Sequence, residues 1–509
     1  MMGRVSPRTV KKHRSFNLIF ILFATLGALA AFAPGCDDAS RSPRVEAPVE
    51  PIADAKARYN QPSEPDNVLS LKIIPAAEPA PRPDKPLPAD ASCVTSECHA
   101  DLVSAPYVHG PVSVGSCDAC HDRDAGGHTY PLKRKAEATC LFCHPVAGNK
   151  PFQHQPVTDP GCTVCHDPHR SNTKYLLVRS SVKQLCTECH PLRTDRYQHA
   201  PFSLGQCTLC HDPHEGSNVA LLRGGDGPAH CYLCHEDKHE TIANATHVHK
   251  PAEEGCVHCH DPHSAPYAYQ LRQPLAEGCL ACHEPVRKHL AMVSYPHGAT
   301  ADEQACANCH DAHASNHNHL LRNREDHLCL ECHDRAILAP SGRWIANVAP
   351  ELSRPYPHGP VADGECAACH DPHGENHTDL LKGAFPDTFY APFNPGRYEL
   401  CFRCHTEDMV LTERTTTITR FRQGDLNLHY VHVNRSEKGR TCRTCHDVHA
   451  GNGPHHVAAT VPFEGSAWAM PIGFEITEHG GRCAPGCHKP ATYDRTAAST
   501  EVAKTEGSP

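Results

Sequence analysis

The residues in this chain with chemistry to offer are cysteine and histidine, and they recur at a fixed spacing. Thirteen times the chain writes C-x-x-C-H. The copies are Cys117, Cys120 and His121; Cys140, Cys143 and His144; Cys162, Cys165 and His166; Cys186, Cys189 and His190; Cys207, Cys210 and His211. They continue with Cys231, Cys234 and His235; Cys256, Cys259 and His260; Cys279, Cys282 and His283; Cys306, Cys309 and His310. The last four are Cys329, Cys332 and His333; Cys366, Cys369 and His370; Cys401, Cys404 and His405; Cys442, Cys445 and His446. Two looser versions flank the array: CVTSECH with Cys93, Cys98 and His99, and CAPGCH with Cys483, Cys487 and His488. Thirty of the 31 cysteines are used in this way, and Cys36 is left over.

The spacing suits one reaction. Two thiols add to the two vinyl groups on one porphyrin edge, and the adjacent imidazole turns onto the iron. A C-x-x-C pair alone also serves zinc, a disulfide or a redox dithiol. A histidine directly after every copy selects haem attachment among these, and the expectation is fifteen covalently bound c haems.

Iron in a haem has two axial positions, and each motif histidine fills one. Of the 43 histidines, 28 remain after the fifteen motif residues. Eight motifs are followed by Asp; apart from the one at Cys329, which reads CHDRA, seven alternate along the array, and six of these have a second histidine three residues after the first: His169, His214, His263, His313, His373 and His449. The seventh reads CHDRD, and its next histidine is delayed to His128. A residue so close to the first ligand cannot pass round the porphyrin rim to the same iron, so it must reach another haem. A further histidine usually stands seven to nine residues before the first cysteine of these motifs: His109, His154, His199, His247 or His249, His297, His358, and less regularly His432 or His429. Such a segment, extended, spans roughly 25 Å, enough to reach its own haem or a neighbour. His249 and His432 are taken as the ligands at the two ambiguous places, and His479, four residues before Cys483, as the fifteenth. His13, His317, His319, His377, His455 and His456 are expected to be exposed surface residues. Irons with two histidines are low-spin and saturated; they pass electrons and offer a substrate no open position.

The elements that must position these groups are small. The chain has 14 Phe, 14 Tyr and 2 Trp against 46 Pro, too few large apolar residues for an ordinary core in 509 residues. The predicted fold is irregular, mostly loops with short α-helices around the array of haems, which supply the apolar interior. Each motif is expected on a helical turn stopped by the Pro of HDPH. Minor β-hairpins are predicted in the C-terminal part, in MVLTERTTTITRF from Met409 and VAATVPFEGSAWAMPIGFEI from Val457.

Residues 1–35 read as a secretory signal: a basic segment, then NLIFILFATLGALAAFA, too short and poorly flanked for a membrane span. APGC ending at Cys36 resembles a lipobox, which makes Cys36 the lipidation site and the anchor to a membrane. Residues 36–90, rich in Pro and Ala, read as an extended tether. Residues 91–333 hold regular two-haem repeats, 334–490 drawn-out repeats with β-like insertions, and 491–509 a disordered tail.

The Asp-bearing motifs begin at intervals of 45, 45, 49, 50, 60 and 76 residues, with a plain motif between each pair and, in the early repeats, a leucine pair such as Leu176-Leu177 or Leu221-Leu222. This is a duplicated two-haem unit. H-x7-C-x2-C-H-D-P-H followed by LL and a second C-x-x-C-H resembles the doubled-CXXCH multihaem cytochromes over roughly residues 91–490. That family includes lipid-anchored or porin-embedded electron conduits of metal-respiring bacteria. The resemblance implies an electron carrier between a membrane respiratory chain and a periplasmic, outer-membrane or extracellular acceptor. Its partners would be other redox proteins or a porin-cytochrome complex. Two other readings are a reductase of a nitrogen or sulfur oxyanion with one open haem, and the subunit of a polymeric filament.

The formal charge is −10. Ionised propionates and ferric centres would take the holoprotein to roughly −25, which disfavours nucleic acid and favours basic partners or metal cations.

Overall fold

The structure is a computed structural model that describes residues 88–498 apart from 89, 123–129, 146–147, 225–226, 340 and 465. The signal segment, Cys36, His13, His128 and most of the proposed tether and tail lie outside the described residues. The described residues belong to one unit, Pro65–Pro509.

Local structure is as sparse as the composition requires. Among the described residues the longest helices, Glu236–Asn244, Glu284–Met292 and Glu325–His333, have nine residues. No described helix is long and apolar enough to cross a membrane. The Asp-bearing motifs sit on single 3-10 turns such as Cys162–Val164 and Cys207–Leu209, which end at the second cysteine, before the proline. The plain motifs begin on short α-helices such as Val182–Cys186 and Leu275–Leu280.

Each repeat is stitched to the next by two-residue antiparallel strands. The dipeptide before one upstream histidine pairs with the dipeptide after the HDPH histidine of the following repeat: Tyr107–Val108 with Arg170–Ser171, Phe152–Gln153 with Glu215–Gly216, Tyr197–Gln198 with Ser264–Ala265. The same clasp recurs for His247–Val248 with Ala314–Ser315, Tyr295–Pro296 with Gly374–Glu375, and Tyr356–Pro357 with Ala450–Gly451. Within a repeat the second residue of the leucine pair bridges the backbone of the motif histidine, as in His166 with Leu177 and His211 with Leu222. The pair therefore closes an 11-residue loop over the imidazole.

Among the described residues before Phe389, the buried hydrophobic side chains are Ala265, Ala305 and Ala314 alone. The two apolar clusters both lie beyond it. One gathers Tyr398, Val410 and Val433, the other Phe389, Ala458, Val461, Met470 and Ile472.

Three expectations are corrected here. MVLTERTTTITRF is not a strand: it opens with the helix Asp408–Leu411 and continues through turns in which Thr415 Oγ1 accepts from the N–H groups of Thr417 and Ile418. Threonine side chains there take the backbone donors that a ladder needs. The tail is ordered further than 491, since Ala491–Asp494 adds a strand to Gly480–Cys483 and Glu475–Ile476. For the same reason the last motif starts on a strand and not on a helical turn. The second insertion does form a hairpin, Thr460–Pro462 with Ala469–Pro471.

Candidate haem-binding array

The histidines meet in pairs. In the first repeats His109 stacks on His144 at 5.9 Å between ring centres, His121 on His169 at 6.1 Å, His154 on His190 at 6.0 Å and His166 on His214 at 6.2 Å. The series continues with His199 on His235 at 6.1 Å, His211 on His263 at 5.9 Å, His249 on His283 at 6.1 Å and His260 on His313 at 6.2 Å. It goes on with His297 on His333 at 6.2 Å, His310 on His373 at 6.3 Å, His358 on His405 at 6.1 Å and His370 on His449 at 6.3 Å. His429 on His446, at 6.5 Å, completes thirteen pairs.

This separation is too wide for ring stacking in contact and right for one metal between two imidazoles. A metal–nitrogen bond of about 2 Å on each side, plus about 1.1 Å from nitrogen to ring centre, gives about 6.2 Å. Among the described residues no group of three or more His, Cys, Asp or Glu side chains converges on a metal ion. Every pair has one member from a C-x-x-C-H motif, so the residues present fit a haem iron held between two imidazoles.

Hydrogen bonds set the tautomer. Nδ1 of the Asp-bearing motif histidines lies 2.6–2.9 Å from a carbonyl nine residues on, as in His121 to Tyr130, His166 to Tyr175, His370 to Asp379 and His446 to His455. A carbonyl only accepts, so Nδ1 carries the proton and Nε2 is bare for metal. The residues that present these accepting carbonyls lie in the left-handed region, Tyr175 at φ 66°, His319 at φ 58° and His455 at φ 57°. The upstream histidines obey the same rule: Nδ1 of His109, His154 and His199 donates to the carbonyls of Pro168, Pro213 and Pro262 at 2.9, 2.9 and 3.0 Å. Their backbone N–H groups bond the carbonyls of His169, His214 and His263. One clasp thus seats two histidines that face two different motifs.

Burial lowers the imidazole pKa of His169, His214, His263, His313 and His373, and of His190, His333, His358, His370 and His446. His429 is pushed down to about 4 by burial and by the neighbouring His446 and His432. All are held in the neutral form that binds metal.

The cysteines are ordered by the same repeat. The first cysteine of each plain motif hydrogen-bonds the first cysteine of the next Asp-bearing one: Cys140 with Cys162, Cys186 with Cys207, Cys231 with Cys256, Cys279 with Cys306, Cys329 with Cys366 and Cys401 with Cys442. Burial and the neighbouring thiol push Cys140 and Cys186 up to about 11. Second cysteines within a repeat also lie near each other, as Cys165 does to Cys189 and Cys210 to Cys234. A cavity of about 2420 Å³ runs along the first repeats, lined by Cys93, Cys117, His121, Cys140, His169 and Cys186 among others. A single small-molecule site occupies about 300–1,000 Å³, so this space holds several ligands.

The pairing gives the sequence-derived positions specific neighbours. Apart from His429, which faces His446, no upstream histidine faces the motif that follows it directly. His109, for example, faces His144 of the plain motif in its own repeat, while His169 reaches back to His121. His249, not His247, has the ring partner; His247 lies in a clasp strand. His479 is set apart, its side chain 55% exposed and 3.8 Å from Glu478, because the strand Gly480–Cys483 turns it outward. His429, the alternative to His432 at the last upstream position, is the one whose ring faces His446. His432 lies near His488, with its Nδ1 donating to the carbonyl of Leu428 at 2.7 Å. The signal for His429 was in the sequence: the last repeat has no following HDPH, so its first motif needs a donor from elsewhere. His319 and His455 are exposed, but their carbonyls hold His310 and His446; His456 is half-buried edge-on to His358.

The family model described as the doubled CXXCH motif matches residues 109–149, 154–193, 199–240, 249–288, 297–337 and 358–410, together just over half of the chain. No curated protein matches. The six matched segments each start at an upstream histidine and close after the plain motif that it faces, so sequence model and ring pairing divide the chain alike. The chain belongs to the doubled-CXXCH family of multihaem c-type cytochromes, proteins of electron transfer.

Proposed function

We propose that this protein is an exported cytochrome of fifteen c haems, anchored through lipid on Cys36. It conducts electrons between a membrane respiratory chain and a periplasmic, outer-membrane or extracellular acceptor such as a metal oxide. The observation that carries the reading is the run of thirteen imidazole pairs at 5.9–6.5 Å, each joining a motif histidine to a histidine from elsewhere in the chain. His432 serves the site of His488, and the delayed His128 serves that of His99 by the rule that His169 follows toward His121.

Bound haem supplies an iron that takes up and returns one electron at a time. The chain does the rest. Paired cysteines fix the porphyrin edges, and their contacts across successive motifs bring those edges to common points. The Nδ1–H donors orient each imidazole and keep Nε2 on the iron. The clasps tie each site to the next repeat, which limits rearrangement when charge changes. Histidine pairs placed in this way would hold an iron from both sides and would leave a substrate no position on it.

The excess of acidic groups supports a basic redox partner, or a porin-cytochrome complex with a basic inner face. At the C-terminal end both outer histidines stand on the chain's own helix Leu428–Val433, so no second copy is needed to complete that end. A reductive titration with spectroscopic detection tests the proposal. It should take up fifteen electrons per chain, stay low-spin throughout, and be indifferent to nitrite and sulfite. A high-spin haem that binds either oxyanion would replace the carrier with a reductase.

A further inference from the structure

The surroundings of the last repeat differ from those of the others in two ways. First, where a HDPH-type histidine reaches back to another repeat, its Nδ1 has a carboxylate beside it. Asp167, Asp212, Asp261, Asp311 and Asp371 lie 3.9, 3.6, 3.8, 3.5 and 3.5 Å from the imidazole two residues on. His449 has Glu351 at 3.0 Å. His429 faces instead the neutral hydroxyl of Thr419, at 3.0 Å, and Thr419 is itself 9% exposed. Second, the apolar clusters of the described chain enclose this repeat: Tyr398, Val410 and Val433 pack around Cys442, and Met470 and Ile472 around Cys487. Arg440, on the strand Gly439–Arg440, is also close enough to act electrostatically on both Cys445 and His432, as Arg272 and Arg322 act on Cys259 and Cys309 in earlier repeats.

Reduction of a ferric haem adds one electron and removes one unit of positive charge, with no bond made or broken. Surroundings that disfavour positive charge therefore favour the reduced form. A carboxylate on the ligand's N–H makes the imidazole more basic and favours the ferric state; a hydroxyl does this far less. Apolar burial and a nearby guanidinium both work against the ferric charge. The two differences act in one direction, and Arg440 adds to them without being peculiar to this repeat.

We propose that the position held by Cys442, Cys445, His446 and His429 is the most readily reduced in the chain, set so by Thr419 and the apolar packing of the last repeat. The inference rests on the reading of the ring pairs as iron ligands. It makes the C-terminal end the electron-rich end of a partly reduced array.

The test is a redox titration of the full holoprotein, followed by optical and electron paramagnetic resonance spectra, in the parent and in Thr419→Asp, Arg440→Gln and Glu351→Gln. Thr419→Asp should move the most positive component downward by about tenfold in its reduction equilibrium, 59 mV for one electron, and leave the others in place. Glu351→Gln should raise a different, lower component and leave the most positive one unmoved. If Thr419→Asp does not assemble, Arg440→Gln carries the test and should shift the same top component downward. A top component that ignores both substitutions, or that moves with Glu351→Gln, overturns the proposal. A parent protein with high-spin haem or fewer than fifteen haems would overturn the ligand reading itself, which the parent spectra show before any variant is compared.

Discussion

Replacing His429 with glycine should unseat one axial ligand and no other. The ring centre of His429 is 6.5 Å from that of His446, the gap that two metal–nitrogen bonds of about 2 Å each require. With the ring gone, the iron bound through His446 loses its sixth ligand. One site in fifteen is about 7% of the ferric iron, and that fraction should turn high-spin. Low-temperature electron paramagnetic resonance, integrated against total haem, reads it directly. His479→Gly should leave the spectrum as it was, because His479 points outward beside Glu478. Phe421 packs edge-on against His429 at 5.1 Å, so the substitution also loosens the helix Leu428–Val433. Added imidazole separates the two effects: it should occupy the vacated site and restore the low-spin signal. A silent His429→Gly together with a high-spin His479→Gly would refute the argument from ring spacing.

Other outcomes follow from the same geometry. A Cβ on Gly216 would sit 2.6 Å from the Cα of Leu221, so Gly216→Ala should open the clasp with Phe152–Gln153 at a cost of about 1–3 kcal/mol. Two irons, those facing His154 and His214, should then lose low-spin character, against one in His214→Ala. Burial alone would raise the Asp302 carboxyl, but the N–H groups of Ala305 and Gln304 and the amide of Asn308 hold it below its ordinary range. Its support for the turn before Cys306 is therefore complete above the unfolded value of about 3.9 and is lost as pH falls through the lower folded value. Amide exchange at Gln304 and Ala305 should accelerate in that acid window, and Asp302→Asn should abolish the pH dependence. Intact mass of the mature protein should show fifteen haems, and fourteen when Cys483 and Cys487 are both replaced by serine. Binding to a basic redox partner should weaken steeply with salt.

The attachment motifs and the repeat were legible in the sequence because they depend on local spacing. C-x-x-C-H is complete within five residues, and the histidine three places after it is excluded from its own iron by chain length alone. What could not be read was which distant motif each histidine meets. That is decided by two-residue strands such as Tyr107–Val108 with Arg170–Ser171, far too short to leave a periodic pattern. The leucine pairs mark the repeat in the sequence; in the structure they are backbone clamps on the motif histidine, as in His166 with Leu177. Spacing favours His432 over His429 because it lies nearer the seven-to-nine-residue interval of the earlier repeats, whereas the last repeat closes on its own helix and turns His429 to His446. The threonine-rich stretch after Met409 was misread because its side chains bond the backbone locally, an interaction that strand propensity ignores.

The central claim is that each iron is shared between a motif histidine and a histidine brought from another part of the chain. A density map of the holoprotein that resolves the axial ligands tests this most directly. The account predicts His169 on the iron of His121, His109 on that of His144, and His429 on that of His446. It is contradicted if His169 points into solvent or binds the haem carried by Cys162 and Cys165.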